Sequence, residues 1–368
     1  MSERTVGVEE ELLVVDPRTA RPVPYAADVL GEDPRDENAG LDTRPAEAEL
    51  MQQQVEVQTK PCSTLAELRT EIVNERATVS AIASRQDLAV APLATSPFAV
   101  DHQMTVKPRY RRLAERFGPI VDAQLVCGCH LHVSMNSREE GVGVLDRVRP
   151  WLAPLLAISA NSPYWQGEDT SYASYRTPVW SRWPSAGPTE EFGSLEAYDA
   201  MLAALIESGA ALDPAATYFD VRLAAEHPTV EMRVADVCLD PDSVLLLAAL
   251  ARGLVEWAAD EWAADKPAGP VRTALLRAAS WRAARYGLSG ELLDPETFAP
   301  KPAAAVLRQL LDLVRPSLAG YGDDTYVAEL VEQVLVNGTG SERQRGAVAG
   351  SGRLEDAVRL AVGHMTPG

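Results

Sequence analysis

Disulfide chemistry is the first thing this chain lacks. Cys62, Cys127, Cys129 and Cys238 are its four cysteines in 368 residues, too few to staple a fold together. No basic stretch leading into an apolar run opens the sequence "MSERTVGVEE", so no secretory leader is expected. The longest apolar runs, such as "SVLLLAALA" at 243–251, fall well short of a bilayer's thickness and argue against a membrane span. Basic residues are in the minority: 34 lysines and arginines face 53 aspartates and glutamates, a formal charge of -19. Such a surface repels nucleic acid and anionic lipid, so neither is an expected partner. Also missing are "GxxxxGK[ST]" and "GxGxxG", and with them the Walker and Rossmann ways of cradling a phosphate. A reduced, cytoplasmic protein is the expectation. With 46% hydrophobic residues it has material for a sizeable core.

What is present is a repeated strand pattern. In "TVGVEEELLVV" at 5–15, Glu9 and Glu11 share one face of a strand, while Val8, Glu10 and Leu12 share the other. In "QQVEVQT", Glu56 alternates with Val55 and Val57. In "CGCHLHVSM", His130 and His132 alternate with Leu131 and Val133, and in "TVEMRVAD", Glu231 and Arg233 alternate with Val230, Met232 and Val234. Four such segments predict a sheet with one apolar face packed under helices and one face lined with charge. Helices are expected at 64–86, where Thr64 and Glu67 form a capping box, at 147–160, 194–208, 303–315 and 325–336, and from Pro241 onward after Asp240. Residues 31–45 and the glycine-rich stretch 337–353 read as loops, the latter mobile.

Clustered carboxylates repel one another unless a cation neutralises them. Glu9, Glu11, Glu56 and Glu231, with Glu49 seven residues before Glu56, therefore point to Mg²⁺ or Mn²⁺, which favour oxygen ligands. Without a phosphate-binding loop, a nucleotide would be held through such ions and through arginines. The candidates are Arg176, Arg182, Arg222, Arg233, Arg282 and Arg285. Two other readings stand beside this one. His130 and His132 with a glutamate base could form a zinc hydrolase, and the whole site could bind a ligand without turnover.

The stretches "GVEEE", "CGCHLHVSM", "SYASYRTPVWSRWPSAGPTEEFG", "HPTVEMRVADVCLDPDSVLLLAALARGLV" and "SWRAARYGLSGELLDP" resemble the bacterial carboxylate-amine ligases of the glutamate–cysteine ligase type 2 family. The resemblance runs from about residue 5 to 350 and implies one catalytic domain over 1–368. It implies an α+β, glutamine synthetase-like fold: a curved antiparallel sheet forming a half-barrel, with helices on its convex side and the site in its concave face. It implies ATP-dependent joining of a carboxylate to an amine through an acyl phosphate, γ-glutamylcysteine being the reference product, in a homodimer. Carried over residue by residue, it makes Glu9, Glu11, Glu49, Glu56, His130 and Glu231 metal ligands. Glu56 and Arg233 would act in the chemical step.

Overall fold

The computed structural model describes residues 4–31 and 46–365. The twelve strands of that portion, in chain order, are β1 (Val6–Asp16), β2 (Arg21–Pro22), β3 (Glu47–Ala48), β4 (Gln54–Gln58), β5 (Ala89–Ala91), β6 (Gly128–Ser134), β7 (Tyr164–Trp165), β8 (Glu168–Asp169), β9 (Val221–Leu223), β10 (Thr229–Asp236), β11 (Glu291–Leu293) and β12 (Pro300–Pro302). Eight of them form one open antiparallel sheet in the order β3-β4-β1-β6-β10-β9, with β2 and β5 paired to the far end of β1. The strands β7 and β8 form a separate ribbon, as do β11 and β12.

One face of the sheet is apolar because alternation puts it there. Val6, Val8, Leu131, Val133, Val230 and Met232 are buried under a helical layer. That layer is led by the helices Leu65–Ser84 and Pro241–Ala263. The first starts at the expected capping box, Thr64 with Glu67. The second starts at Asp240, whose side chain accepts from the Ser243 N–H at 2.9 Å, with Pro241 in the first turn. Leu246, Leu247 and Leu250 from this helix are at most 1% exposed. Burying each such side chain contributes about 1.5–3 kcal/mol.

The odd glutamate of the opening triplet belongs to this layer. Glu10 points under the helices and receives Arg76 Nη2 at 2.6 Å and Nε at 2.9 Å. The same guanidinium donates to the main-chain oxygens of Cys238 and Leu239. Removing one partner would strand the other's charge in a dry place, at a cost of about 3–5 kcal/mol.

Two expectations are corrected. The helix expected over 147–160 is broken: Arg138–Val148 and Leu152–Ser159 are separated by a tight turn at Arg149–Trp151, where Pro150 supplies no N–H. Residues 337–353 are not a mobile loop but contain the helix Gly340–Ser351. Its apolar content is low because hydrogen bonds hold it. Gln344 Nε2 donates to the Asn161 main-chain oxygen at 2.9 Å and to its side-chain oxygen at 2.7 Å. Arg345 pairs with Asp169. Gly340 must lack a side chain, since a Cβ there would lie 2.1 Å from Asn161 Oδ1. Beyond Gly31, the expected loop at 31–45 lies outside the described residues.

Candidate active site

Strand register assembles the charged residues into rows. Glu11 of β1 lies opposite Glu56 of β4, which in turn faces Glu47 of β3. One step along, Glu9 faces His130 of β6. The next row sets His132 against Glu231 of β10, which faces Arg222 of β9. The side chains of this face line a cleft of about 500 Å³, whose wall also includes Lys107, Arg109, Tyr110, Trp180, Tyr218, Glu226 and His227.

Ligand atoms come together in three overlapping groups: Glu11, Glu49 and Glu56; Glu9, Glu56 and His130; Glu9, His132 and Glu231. Within each group they lie within 4.8 Å of one another. His130 Nδ1 is 3.1 Å from Glu9 Oε2, and His132 Nε2 is 3.2 Å from Glu9 Oε1. His132 Nδ1 is fixed by the Thr229 hydroxyl at 2.9 Å. His130 Nε2 is buried without a hydrogen-bond partner, whereas His132 Nε2 has the Glu9 carboxylate. A buried polar atom rarely goes unpaired, and His130 belongs to a group of potential metal ligands. The donor set fits an oxygen-preferring divalent ion, with five carboxylates to two imidazoles.

The thiols do not enter this set. Cys129 sits opposite Glu10 on the packed side of the sheet, and burial pushes the Cys127 and Cys129 thiols well up. All four cysteines are buried and free.

Burial and charge tune the carboxylates differently. Burial raises Glu11, and neighbouring Glu49 adds to it, so that Glu11 titrates at about 7 despite Arg176, the Gly128 N–H and Arg233. Burial and four nearby glutamates hold Glu56 well above the usual range. Burial would raise Glu9 too, but its hydrogen bonds with both imidazoles win and hold it well below that range. His130 is pushed down to about 4 by burial and by Arg233. Burial works against Glu231 as well, yet Arg233 and Arg222 keep it firmly ionised.

Arg233 follows Glu231 on the cleft face of β10, at the start of a register shift between Met232 and Ala235. Arg233 pairs with Glu231 through Nη1 and leaves Nε buried without a partner. Arg222 grips the same carboxylate at 2.7 and 3.1 Å and donates to the main-chain oxygens of Ala215 and Thr217. Arg176 is buried, 5.4 Å from the Trp180 ring, with Nη1 3.4 Å from the Arg233 carbonyl. Gly128 makes room for it, because a Cβ there would lie 2.4 Å from Arg176 Nη2.

The structure thus gathers Glu9, Glu11, Glu49, Glu56, His130, Glu231, Arg222 and Arg233 at one cleft, with Arg176 packed beside it. The remaining candidates do not line it. Arg182 is exposed just past the helix Arg176–Trp180, Arg282 is engaged by Glu291, and Arg285 stacks on Tyr172 and Tyr286. Sequence reasoning missed the wall formed by Lys107, Arg109 and Tyr110, which carries no alternating pattern. Trp180 and Tyr218 were missed for the same reason. A second cavity, of about 540 Å³ among the helices, has its charges satisfied internally by Arg69–Asp242 and Arg343–Asp240 pairs.

Glutamate-cysteine ligase family 2 matches residues 5–359 of this chain. A Streptomyces avermitilis protein provisionally named glutamate–cysteine ligase 2-1 is 49% identical over 359 residues, spanning 98% of each chain. The chain belongs to glutamate-cysteine ligase family 2. A Streptomyces coelicolor relative, provisionally named glutamate–cysteine ligase 2, is likewise 49% identical to this ligase across 98% of each chain. A solved glutamate–cysteine ligase of Francisella tularensis, in complex with AMP, shares the fold with a TM-score of 0.72 at 14% identity, over 99% of this chain and 88% of that one. A bifunctional glutathione synthetase from Pasteurella multocida gives a TM-score of 0.70 at 15% identity, over 98% of this chain and 52% of that one. The expected α+β architecture, an open antiparallel sheet with helices, is the one observed. This family member is an ATP-dependent ligase that joins a carboxylate to an amine. Among the described residues no helix is long and apolar enough to cross a membrane.

Proposed function

We propose that this ligase joins the γ-carboxylate of glutamate to the amine of an amino acid, cysteine being the reference acceptor, with Mg²⁺ or Mn²⁺ at the sheet face. The observation that carries the reading is the three overlapping ligand groups on one side of β1, β4, β6 and β10. Divalent ions bound there would neutralise the phosphates of ATP and offset charge on the moving phosphoryl group. Glu9, Glu11, Glu49, Glu56, His130 and Glu231 would hold them, with His132 added from the geometry.

The chemistry then follows from charge. A carboxylate is a poor acyl donor, so its oxygen attacks the γ-phosphorus of ATP and ADP leaves. The amine attacks the acyl carbon of the resulting acyl phosphate, phosphate leaves, and the nitrogen loses a proton. No protein nucleophile is consumed. Arg233, with a buried donor to spare, is placed to stabilise charge on the transferring group, and Arg222 fixes Glu231 beside it. Glu56, shared by two of the ligand groups, links them. The same reading has the chain acting as one catalytic domain, as a homodimer, and in the cytoplasm.

A screen of carboxylate and amine pairs for ADP release tests it. Release should require both substrates, stop with EDTA and return with Mg²⁺ or Mn²⁺. Tightly held zinc with ATP-independent hydrolysis would establish the hydrolase reading of His130 and His132 instead.

A further inference from the structure

The cleft carries four basic side chains besides its histidines: Lys107, Arg109, Arg222 and Arg233. Three are already matched with carboxylates. Arg109 holds Asp213 through two bonds of 3.1 Å, and Arg222 and Arg233 both hold Glu231. Lys107 differs from them. Its Nζ donates to the Ala48 main-chain oxygen at 3.1 Å and stands 5.7 Å from the centre of the Tyr110 ring. Among the described residues it has no ion-pair partner, although the strand edge beside it carries Glu47 and Glu49. A carbonyl and a ring face hold the ammonium in place without neutralising it. Of its three N–H donors, one is used. The side chain is half-buried at the cleft wall, just before the helix Pro108–Phe117.

We propose that Lys107 grips the spectator carboxylate of an amino-acid substrate, the one that forms no new bond; this rests on the ligase reading above. Each substrate of a glutamyl–amino acid ligation brings such a group, the α-carboxylate. The divalent-ion groups serve phosphates and the reacting oxygen. The three arginines lining the cleft already face carboxylates of the protein, with the spare donor of Arg233 turned to the transferring group. Lys107 is thus the cleft cation left for the spectator carboxylate. A compact ammonium with rotatable donors suits it, since no planar two-point fit is demanded.

Two pairs of substrates separate the sources of that carboxylate. Glutamate against 4-aminobutyrate removes the spectator group of the donor, and cysteine against cysteamine removes that of the acceptor. Wild-type enzyme should prefer the intact amino acid in one arm by about 10- to 100-fold in kcat/KM, the range of a hydrogen bond to a charged group. In Lys107→Met that preference should collapse toward unity in the same arm, with the truncated substrate used as well as before. Lys107→Arg should recover part of it. Preferences that survive Lys107→Met in both arms overturn the assignment, as does a variant that only raises KM for ATP. A wild-type enzyme indifferent to both truncations overturns it too while leaving the ligase reading intact. No ADP release from any pair in the wild type would instead bring down the substrate reading itself.

Discussion

Glu9 and Glu11 stand two residues apart on one strand face, yet their surroundings shift their proton affinities in opposite directions. Two imidazoles keep Glu9 ionised, whereas burial beside Glu49 lifts Glu11 to about 7. Glu56 is raised as well; burial works against His132, but the hydrogen bond to Glu9 and the charges of Glu9 and Glu231 together raise it. A group whose folded-state pKa is raised contributes stability that is complete below its unfolded value and lost as pH climbs through the folded one. All three groups therefore act in one direction. His130, pushed down to about 4, acts the other way, but only below its unfolded value of about 6.5. Between pH 6.5 and 8.5 in EDTA the melting temperature should fall, on the order of a few degrees. Excess Mg²⁺ should flatten that slope, since the ion replaces the protons that shield the carboxylates. Differential scanning fluorimetry across this range decides it, and a flat profile in EDTA would contradict the shared, crowded charge.

At the scale of elements, the strands were legible because a period-two pattern survives any packing detail. Glu9, Glu56, His130 and Glu231 could be placed on one face from alternation alone, and the register confirms that they meet. Elements whose support is polar and long-range were not legible. The helix Gly340–Ser351 buries Ser341 and Gln344 rather than an apolar stripe, and its anchor, Asn161, is 183 residues away. The partner of Glu10 was hidden for the same reason, since Arg76 stands 66 residues further along the chain. Gln344→Leu measures what the polar anchor contributes. It would leave the Asn161 oxygens unmatched in a buried place, a loss of about 1–3 kcal/mol. Thermal unfolding should shift down by several degrees, and hydrogen exchange should quicken over residues 160–176. An unchanged melting temperature would show that this helix is a passenger.

Across the whole molecule, a charge of -19 surrounds a cleft that is itself rich in carboxylates. ATP and the carboxylate substrate are both anions, so productive encounters depend on cations arriving with them or already in place. Assembly is the other question at this scale. Closed two-fold dimers are the commonest assembly, and light scattering should return about 80 kDa, twice the 39.7 kDa chain. A mass near one chain at micromolar concentration would reject the dimer. The buried Glu10–Arg76 pair bears on which fold the chain can reach at all. Slipping β1 by one residue would turn Glu10 outward and drive Glu9 and Glu11 beneath the helices, where a single arginine waits for two carboxylates. Three successive acids thus work as a reading-frame mark: the strand can be seated in one phase, and a mis-seated sheet is rejected before a metal or a nucleotide is ever bound.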